Sequence, residues 1–204
     1  MIKNIAFDMD SVLIVFDPPL FLDRLGVTGE DRRMLLWEVF RSLEWAQLDR
    51  GDLTDAQAIE RMCRRLPERL HDSVRRLVSE WDLPILPIPG MQELVRELKQ
   101  NGYKLYLLSN AALRQHDYWP RIPGSECFDG VVVSADLRLI KPEREIYQHL
   151  FKTYDLVPEE CVFIDDNVVN IEGAHRLGMN TVVFHGEAWD TRRRLRELGV
   201  SCAE

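Results

Sequence analysis

The sequence has no long hydrophobic run, no C-x-x-C pair, no visible repeat and no low-complexity tract. Each absence removes a class of protein. No stretch approaches the roughly 18 consecutive apolar residues of a membrane span, and the apolar start meets Asp8 too soon for a secretory leader. The expectation is a cytoplasmic protein with no membrane partner. The four cysteines, Cys63, Cys127, Cys161 and Cys202, are scattered, which excludes a zinc ribbon or redox dithiol and fits reduced thiols. With only 11 Gly and 10 Pro, the chain is neither collagen-like nor compositionally disordered. Positive charge is also short: 26 Lys and Arg stand against 34 Asp and Glu, a formal net charge of -8. Such a surface repels polyanions, so nucleic acid is not an expected partner.

What is present is an ordinary globular composition, 46% hydrophobic and 29% charged over 204 residues. That length accommodates one generous domain or one domain carrying an insertion. Short apolar runs at residues 2–7, 105–108, 131–133 and 162–164 each hand over to polar residues, and a further run follows at 179–184. Strands apolar on both faces, separated by helical patterns, describe a parallel sheet covered by helices. Leu94, Val95 and Leu98 share one helix face between Pro89-Gly90 and Asn101-Gly102. Pro142 opens a second pattern through Ile146, Tyr147 and Leu150, and a third runs through Ile171, Ala174 and Leu177 to Gly178.

Residues 15–85 break this series. They show no strand and several amphipathic helical patterns, one after a possible cap at Thr28 and one after Thr54-Asp55. Prolines stiffen both junctions, Asp17-Pro18-Pro19 on entry and the segment from Pro84 to Pro89 on exit. The expected architecture is therefore α/β: a Rossmann-like parallel sheet with helices on both faces, formed by residues 1–14 and 86–204. An all-helical cap of residues 15–85 is inserted and hinged over the strand ends.

Polar residues gather at those ends. Asp8 and Asp10, two apart after the first strand, suit a nucleophile and an acid/base, although an isolated D-x-D is as readily a polar turn. Ser109-Asn110 after the second strand offers a hydroxyl and backbone N–H groups to an anion, or simply a helix cap. Lys141 precedes a helix start, the end where the helix dipole disfavours a structural cation. Asp165 and Asp166 are adjacent carboxylates that repel unless a cation, a proton or a helix N-terminus compensates. A helix cap explains one of them, not both. Such hard oxygen donors suit Mg²⁺. All four groups fall at strand ends, where open α/β sheets build ligand crevices.

A carboxylate pair, a hydroxyl, a lysine and a second acidic pair, in that order, resemble the four motifs of the haloacid dehalogenase-like hydrolases. The resemblance covers nearly the whole chain, with the helical insert placed like the family's cap. Leu48-Asp49-Arg50-Gly51-Asp52-Leu53-Thr54, Tyr118-Trp119-Pro120, Lys141-Pro142-Glu143 and Phe163-Ile164-Asp165-Asp166-Asn167 look like the bacterial subgroup that includes α-D-glucose-1-phosphate phosphatases. The resemblance implies a Mg²⁺-dependent phosphatase of small phosphorylated metabolites, above all sugar phosphates, acting through an aspartyl-phosphate as a monomer or weak homodimer. Asp8 is then the nucleophile and Asp10 the general acid/base, while Ser109, Asn110 and Lys141 hold the phosphoryl group. Asp8, Asp166, the Asp10 carbonyl and Asp165 surround the metal. Asn170 stands where many relatives carry another acid, as an outer ligand. Trp45, Asp49, Arg50 and Trp119 become candidates for gripping the leaving group, with ordinary packing as the competing reading for the tryptophans. The arginines at 192–194 and 196 read as a solvated helix face.

Other chemistries use parts of this pattern. Phosphoglucomutase-like transfer keeps all four motifs but needs cap residues for a bisphosphate, of which Arg50-Gly51-Asp52 gives no sign. Haloacid dehalogenation has no need of Asp10. A receiver-type signalling module places its acidic pair first, and a silent phospho-accepting module does not need Asp8, Asp10, Lys141 and Asp166 all intact. One departure stands out: Ser11 occupies the place of the family's usual glycine after the second Asp, a position that favours φ > 0.

Overall fold

The computed structural model describes residues 1–203. Five parallel strands, β1 (Asn4–Phe7), β2 (Lys104–Ser109), β3 (Gly130–Val133), β4 (Cys161–Asp165) and β5 (Asn180–Val183), pair in the order β3-β2-β1-β4-β5. Alternation along each strand sorts the core into two layers, as the two-residue repeat of a strand requires. Ile5, Phe7, Leu105, Leu107, Val162 and Ile164 pack on one face, while Ala6, Tyr106, Leu108, Cys161 and Phe163 pack on the other. The first face is covered by α6 (Met91–Gln100) and α11 (Ala188–Glu197), the second by α9 (Arg144–Tyr154) and α10 (Val168–His175).

The helical periodicities found their faces. Met91, Leu94, Val95 and Leu98 are all buried on α6, and Ile146, Tyr147 and Leu150 on α9. Some boundaries differ. α9 begins at Arg144 rather than Pro142, because Glu143 takes the N-cap position and uses its carboxylate to accept from the Ile140 N–H at 3.1 Å. It ends at Asp155 in a left-handed conformation, three residues before Pro158.

All elements between residues 15 and 85 are helical: α1 (Pro18–Arg24), α2 (Gly29–Leu35), a π-turn (Leu36–Phe40), α3 (Leu43–Arg50), α4 (Asp55–Cys63), a 3₁₀ turn (Glu68–Leu70) and α5 (His71–Ser79). Thr54 heads α4 with a reciprocal capping box involving Gln57. Thr28 stands at the N-cap of α2 but its side chain makes no capping bond there, so only its position matches the expectation. The entering and leaving chains form a short antiparallel stem, with Val15 N–H donating to the Leu86 carbonyl at 2.8 Å and Ile88 N–H to that of Leu13 at 3.0 Å.

Above the stem, α3 rests on the short α8 (Ser134–Leu137) that follows β3. The Ser134 hydroxyl accepts from Ala111 N–H at 2.9 Å and donates to the Asp49 carbonyl, so it joins the inserted helices to two core segments. Gly51, at φ +80° after α3, lies so close that an added Cβ would stand 2.3 Å from the Ala135 carbonyl oxygen. Gly51→Ala therefore combines left-handed strain of about 1–2 kcal/mol with overpacking of about 1–3 kcal/mol. The expected result is a clear drop in melting temperature by circular dichroism. A variant melting like the wild type would show that α3 lifts from α8 freely.

Candidate active site

β1 lies between β2 and β4, so the crossover from β3 to β4 passes over it and leaves a crevice at the carboxyl ends of these three strands. β1 delivers Asp8 into the middle of that crevice. The chain then turns sharply, the Met9 carbonyl receiving the N–H groups of Leu13 at 2.8 Å and Ile14 at 3.1 Å. Ser11 adopts φ +60° in this turn, the conformation for which glycine was expected. The site thus carries local backbone strain of about 1–2 kcal/mol.

Lys141 organises the carboxylates. Its ammonium, 3% exposed as a residue, lies 2.9 Å from Asp8 Oδ1 and 2.8 Å from Asp165 Oδ2. Burial works against that charge, yet the two carboxylates hold the Lys141 pKa above its ordinary value. The loop carrying Lys141 is clamped by the Asn110 side chain, whose Oδ1 accepts from Lys141 N–H at 2.8 Å and whose Nδ2 donates to the Lys141 carbonyl at 3.0 Å. The backbone of Asn110 was the part expected at a phosphoryl group; its side-chain amide also fixes the lysine loop.

Asp8 Oδ1 also accepts from Met9 N–H at 2.7 Å, while Oδ2 receives no hydrogen bond among the described residues. One oxygen is pinned and the other is left for a reacting atom or a cation. Burial raises the Asp8 pKa to about 8, with Asp165 adding to the effect and Lys141 opposing it. Asp10 is pushed well above the usual carboxylate range by burial and then by Asp8 and Asp49, and its Oδ1 is buried with no partner. The Ser109 hydroxyl is likewise buried and unpartnered.

The two acids after β4 differ. Asp165, fully buried, accepts from Lys141, from Asn167 N–H at 2.7 Å and from Asn170 Nδ2 at 3.0 Å. Asp166 is exposed, and burial of its surroundings with Asp165 beside it raises its pKa. One oxygen from each of Asp8, Asp165 and Asp166 falls within 4.8 Å of the others, a spacing that fits a shared cation. Such a cation would offset the repulsion among the three carboxylates. Asn170 bonds Asp165 and accepts from the Tyr147 hydroxyl at 2.8 Å, which puts it one step behind the carboxylates.

Next to Asp10 a small, partly open cavity of about 20 Å³ lies between the helical insert and the segment after β2. Trp45 and Asp49 line it, as does Trp81. Arg50 and Trp119 do not: Arg50 pairs with Glu143 at 2.6 Å, and Trp119 packs edge-on against Phe128 at 5.1 Å between centroids. Arg114, Tyr118 and Asp55 also border the cavity and were missed in the sequence, where nothing in their spacing sets them apart. Of the C-terminal arginines, Arg193 and Arg194 pair with Asp190 at 2.6 and 2.7 Å as a solvated face would, whereas Arg192, nearly buried, turns back to Glu97 of α6.

A family model described as haloacid dehalogenase-like hydrolase matches residues 2–178. The chain belongs to that family of hydrolases. Among its relatives, a pyrophosphatase (PpaX) of Bacillus cereus is 30% identical over 95% of this chain and 86% of its own length. A sesquiterpene phosphatase of Aspergillus oryzae is 28% identical over 87% of each chain. A drimenol cyclase of Aspergillus calidoustus is 25% identical over the whole chain, which spans 38% of that protein. The fold also matches a HAD-like family hydrolase of Porphyromonas gingivalis (TM-score 0.72, 24% identity, 97% and 98% of the two chains). It matches a HAD family enzyme of Bacteroides thetaiotaomicron crystallised with magnesium and inorganic phosphate (TM-score 0.69, 22% identity, 94% and 98%). No helix among the described residues is long and apolar enough to cross a membrane.

Proposed function

We propose that this hydrolase is a Mg²⁺-dependent phosphatase of small phosphomonoesters, with sugar phosphates such as glucose 1-phosphate as its substrate class. The observation that carries the reading is the Asp8–Lys141–Asp165 group, one Asp8 oxygen left open, beside the unpartnered Asp10 Oδ1 at the edge of a small cavity under the helical insert. Phosphatase names among the relatives that align over most of their length support it.

Asp8 Oδ2 attacks phosphorus in line, forming a new P–O bond as the ester P–O bond breaks. Asp10, kept protonated by its burial, gives its proton to the departing alkoxide oxygen. Water then loses a proton to Asp10 and attacks phosphorus, which breaks the acyl-phosphate P–O bond and frees Asp8 and inorganic phosphate. Lys141 holds the Asp8 carboxylate in line and balances the growing phosphoryl charge. The Ser109 hydroxyl, with no partner among the described residues, donates to a phosphoryl oxygen, as does the Asn110 N–H. Asp8 and Asp166, with Asp165 behind them, would hold Mg²⁺, which supplies charge neutralisation to the phosphoryl oxygens. Asp10 is the feature that separates this site from dehalogenation, which has no leaving alcohol to protonate.

The test is phosphate release from a panel of sugar phosphates, nucleotides and an aryl phosphate, with and without chelator. Chelation should lower turnover by at least about 100-fold, with recovery on adding Mg²⁺. Undiminished turnover in chelator would remove the metal from the mechanism, and no release from any ester would remove the phosphatase reading.

A further inference from the structure

Arg114 lies five positions beyond Ser109, just ahead of the short α7 (Gln115–Tyr118). Its guanidinium is held from behind. Nη2 donates to Asp82 Oδ1 at 2.7 Å and to the Ser79 carbonyl, and Nε stands 3.7 Å from Asp55 Oδ2. The guanidinium carbon is 5.6 Å from the centre of the Tyr118 ring. Asp82 is itself fully buried and takes Arg121 on its other oxygen at 2.5 Å. Such anchoring fixes the plane of Arg114 before any ligand arrives. The remaining nitrogen, Nη1, is sealed from solvent and has no partner among the described residues. A buried, charged N–H left unpaired is strongly unfavourable, and Arg114 borders the cavity that also receives Asp10.

The charge around it narrows the ligand. Asp82 and Asp55 already balance Arg114 and Arg121, and two more carboxylates, Asp10 and Asp49, line the same cavity. A leaving group with a second anion would find no unmatched cation there. A hydroxyl can accept from Arg114 and donate to Asp49 or Asp55, and Trp45 and Trp81, packed with Phe16 in an aromatic cluster, supply part of the apolar wall of the cavity.

We propose, resting on the phosphatase reading, that Arg114 is the specificity-determining residue: its Nη1 donates to a hydroxyl oxygen of an uncharged, polyhydroxylated leaving group. Asp82 is the positioning residue that holds it there.

The experiment compares glucose 1-phosphate, which carries such hydroxyls, with p-nitrophenyl phosphate, which has none. Arg114→Lys and Arg114→Gln should each lower kcat/KM for glucose 1-phosphate at least about tenfold more than for p-nitrophenyl phosphate. Asp82→Asn should give a smaller loss of the same selectivity. Equal losses on both esters would overturn the assignment while leaving the phosphatase reading standing. If the variants fail to fold, the wild type decides by comparing glucose 1-phosphate with 3-phosphoglycerate, whose leaving group bears a carboxylate. The neutral ester should lead by tenfold or more in kcat/KM, and equal or reversed preference would overturn the proposal. Wild-type protein releasing phosphate from none of these esters would instead sink the phosphatase reading.

Discussion

Asp8→Asn should lower phosphate release from an aryl ester by on the order of 10⁴- to 10⁶-fold, as expected when an enzyme loses its nucleophile, while the protein stays folded. The amide keeps the shape of the carboxylate, so its oxygen can still accept from Met9 N–H, and Lys141 keeps Asp165 as its counter-ion at 2.8 Å. What is lost is an anionic oxygen able to attack phosphorus. Stability should hold or rise. Burial already opposes ionisation of Asp8 and raises its pKa to about 8, so the fold gives up little when that charge is removed. Loss of activity without loss of melting temperature is the signature of a group kept for chemistry rather than for folding. Turnover within tenfold of the wild type would reassign the nucleophile.

Lys141→Met should affect both quantities. Methionine fills much of the volume of the lysine stem but leaves Asp8 and Asp165, both buried, without the ammonium between them. Removing one partner of a buried ionic group costs about 3–5 kcal/mol. For a chain of this length that corresponds to a fall of roughly 6–20 °C in melting temperature. Phosphate release should drop by about 10²- to 10³-fold or more, since the charge facing the phosphoryl group is gone. The double variant with Asp8→Asn should regain part of the stability, because only one carboxylate then lacks its cation, and this coupling separates charge balance from simple packing loss. A Lys141→Met protein that melts within about 2 °C of the wild type would contradict the shared ion pair.

Much of this site is legible in the sequence alone. Asp8, Ser109 and Asp165 each follow or end a short apolar strand, and a buried parallel strand is among the plainest patterns a sequence carries. The resemblance to the family rested on the order of those groups, which a linear chain displays directly. The leaving-group candidates show the opposite case. Trp45, Arg50 and Trp119 looked alike as candidates for holding a leaving group, yet they go to the cavity, to Glu143 and to Phe128 respectively. Side chains on one helix point in different directions, and what waits in each direction comes from segments far away in the chain. Arg114 and Asp82 are 32 residues apart, with nothing in either neighbourhood to mark the pair.

By itself, then, the sequence determined the alternation that sorts the sheet into two apolar faces, the helical character of residues 15–85, and the presence of acids, a hydroxyl and a lysine at strand ends. These depend on local periodicity and on covalent order, both written in the chain. Only the tertiary structure decided that one ammonium serves two carboxylates, that Asn110 clamps the lysine loop, that Asp165 is saturated while Asp166 stays open, and that Arg114 borders the cavity with a nitrogen to spare. Those facts depend on distances of about 3 Å between groups separated by tens of residues, and a hydrogen bond is lost within about another ångström.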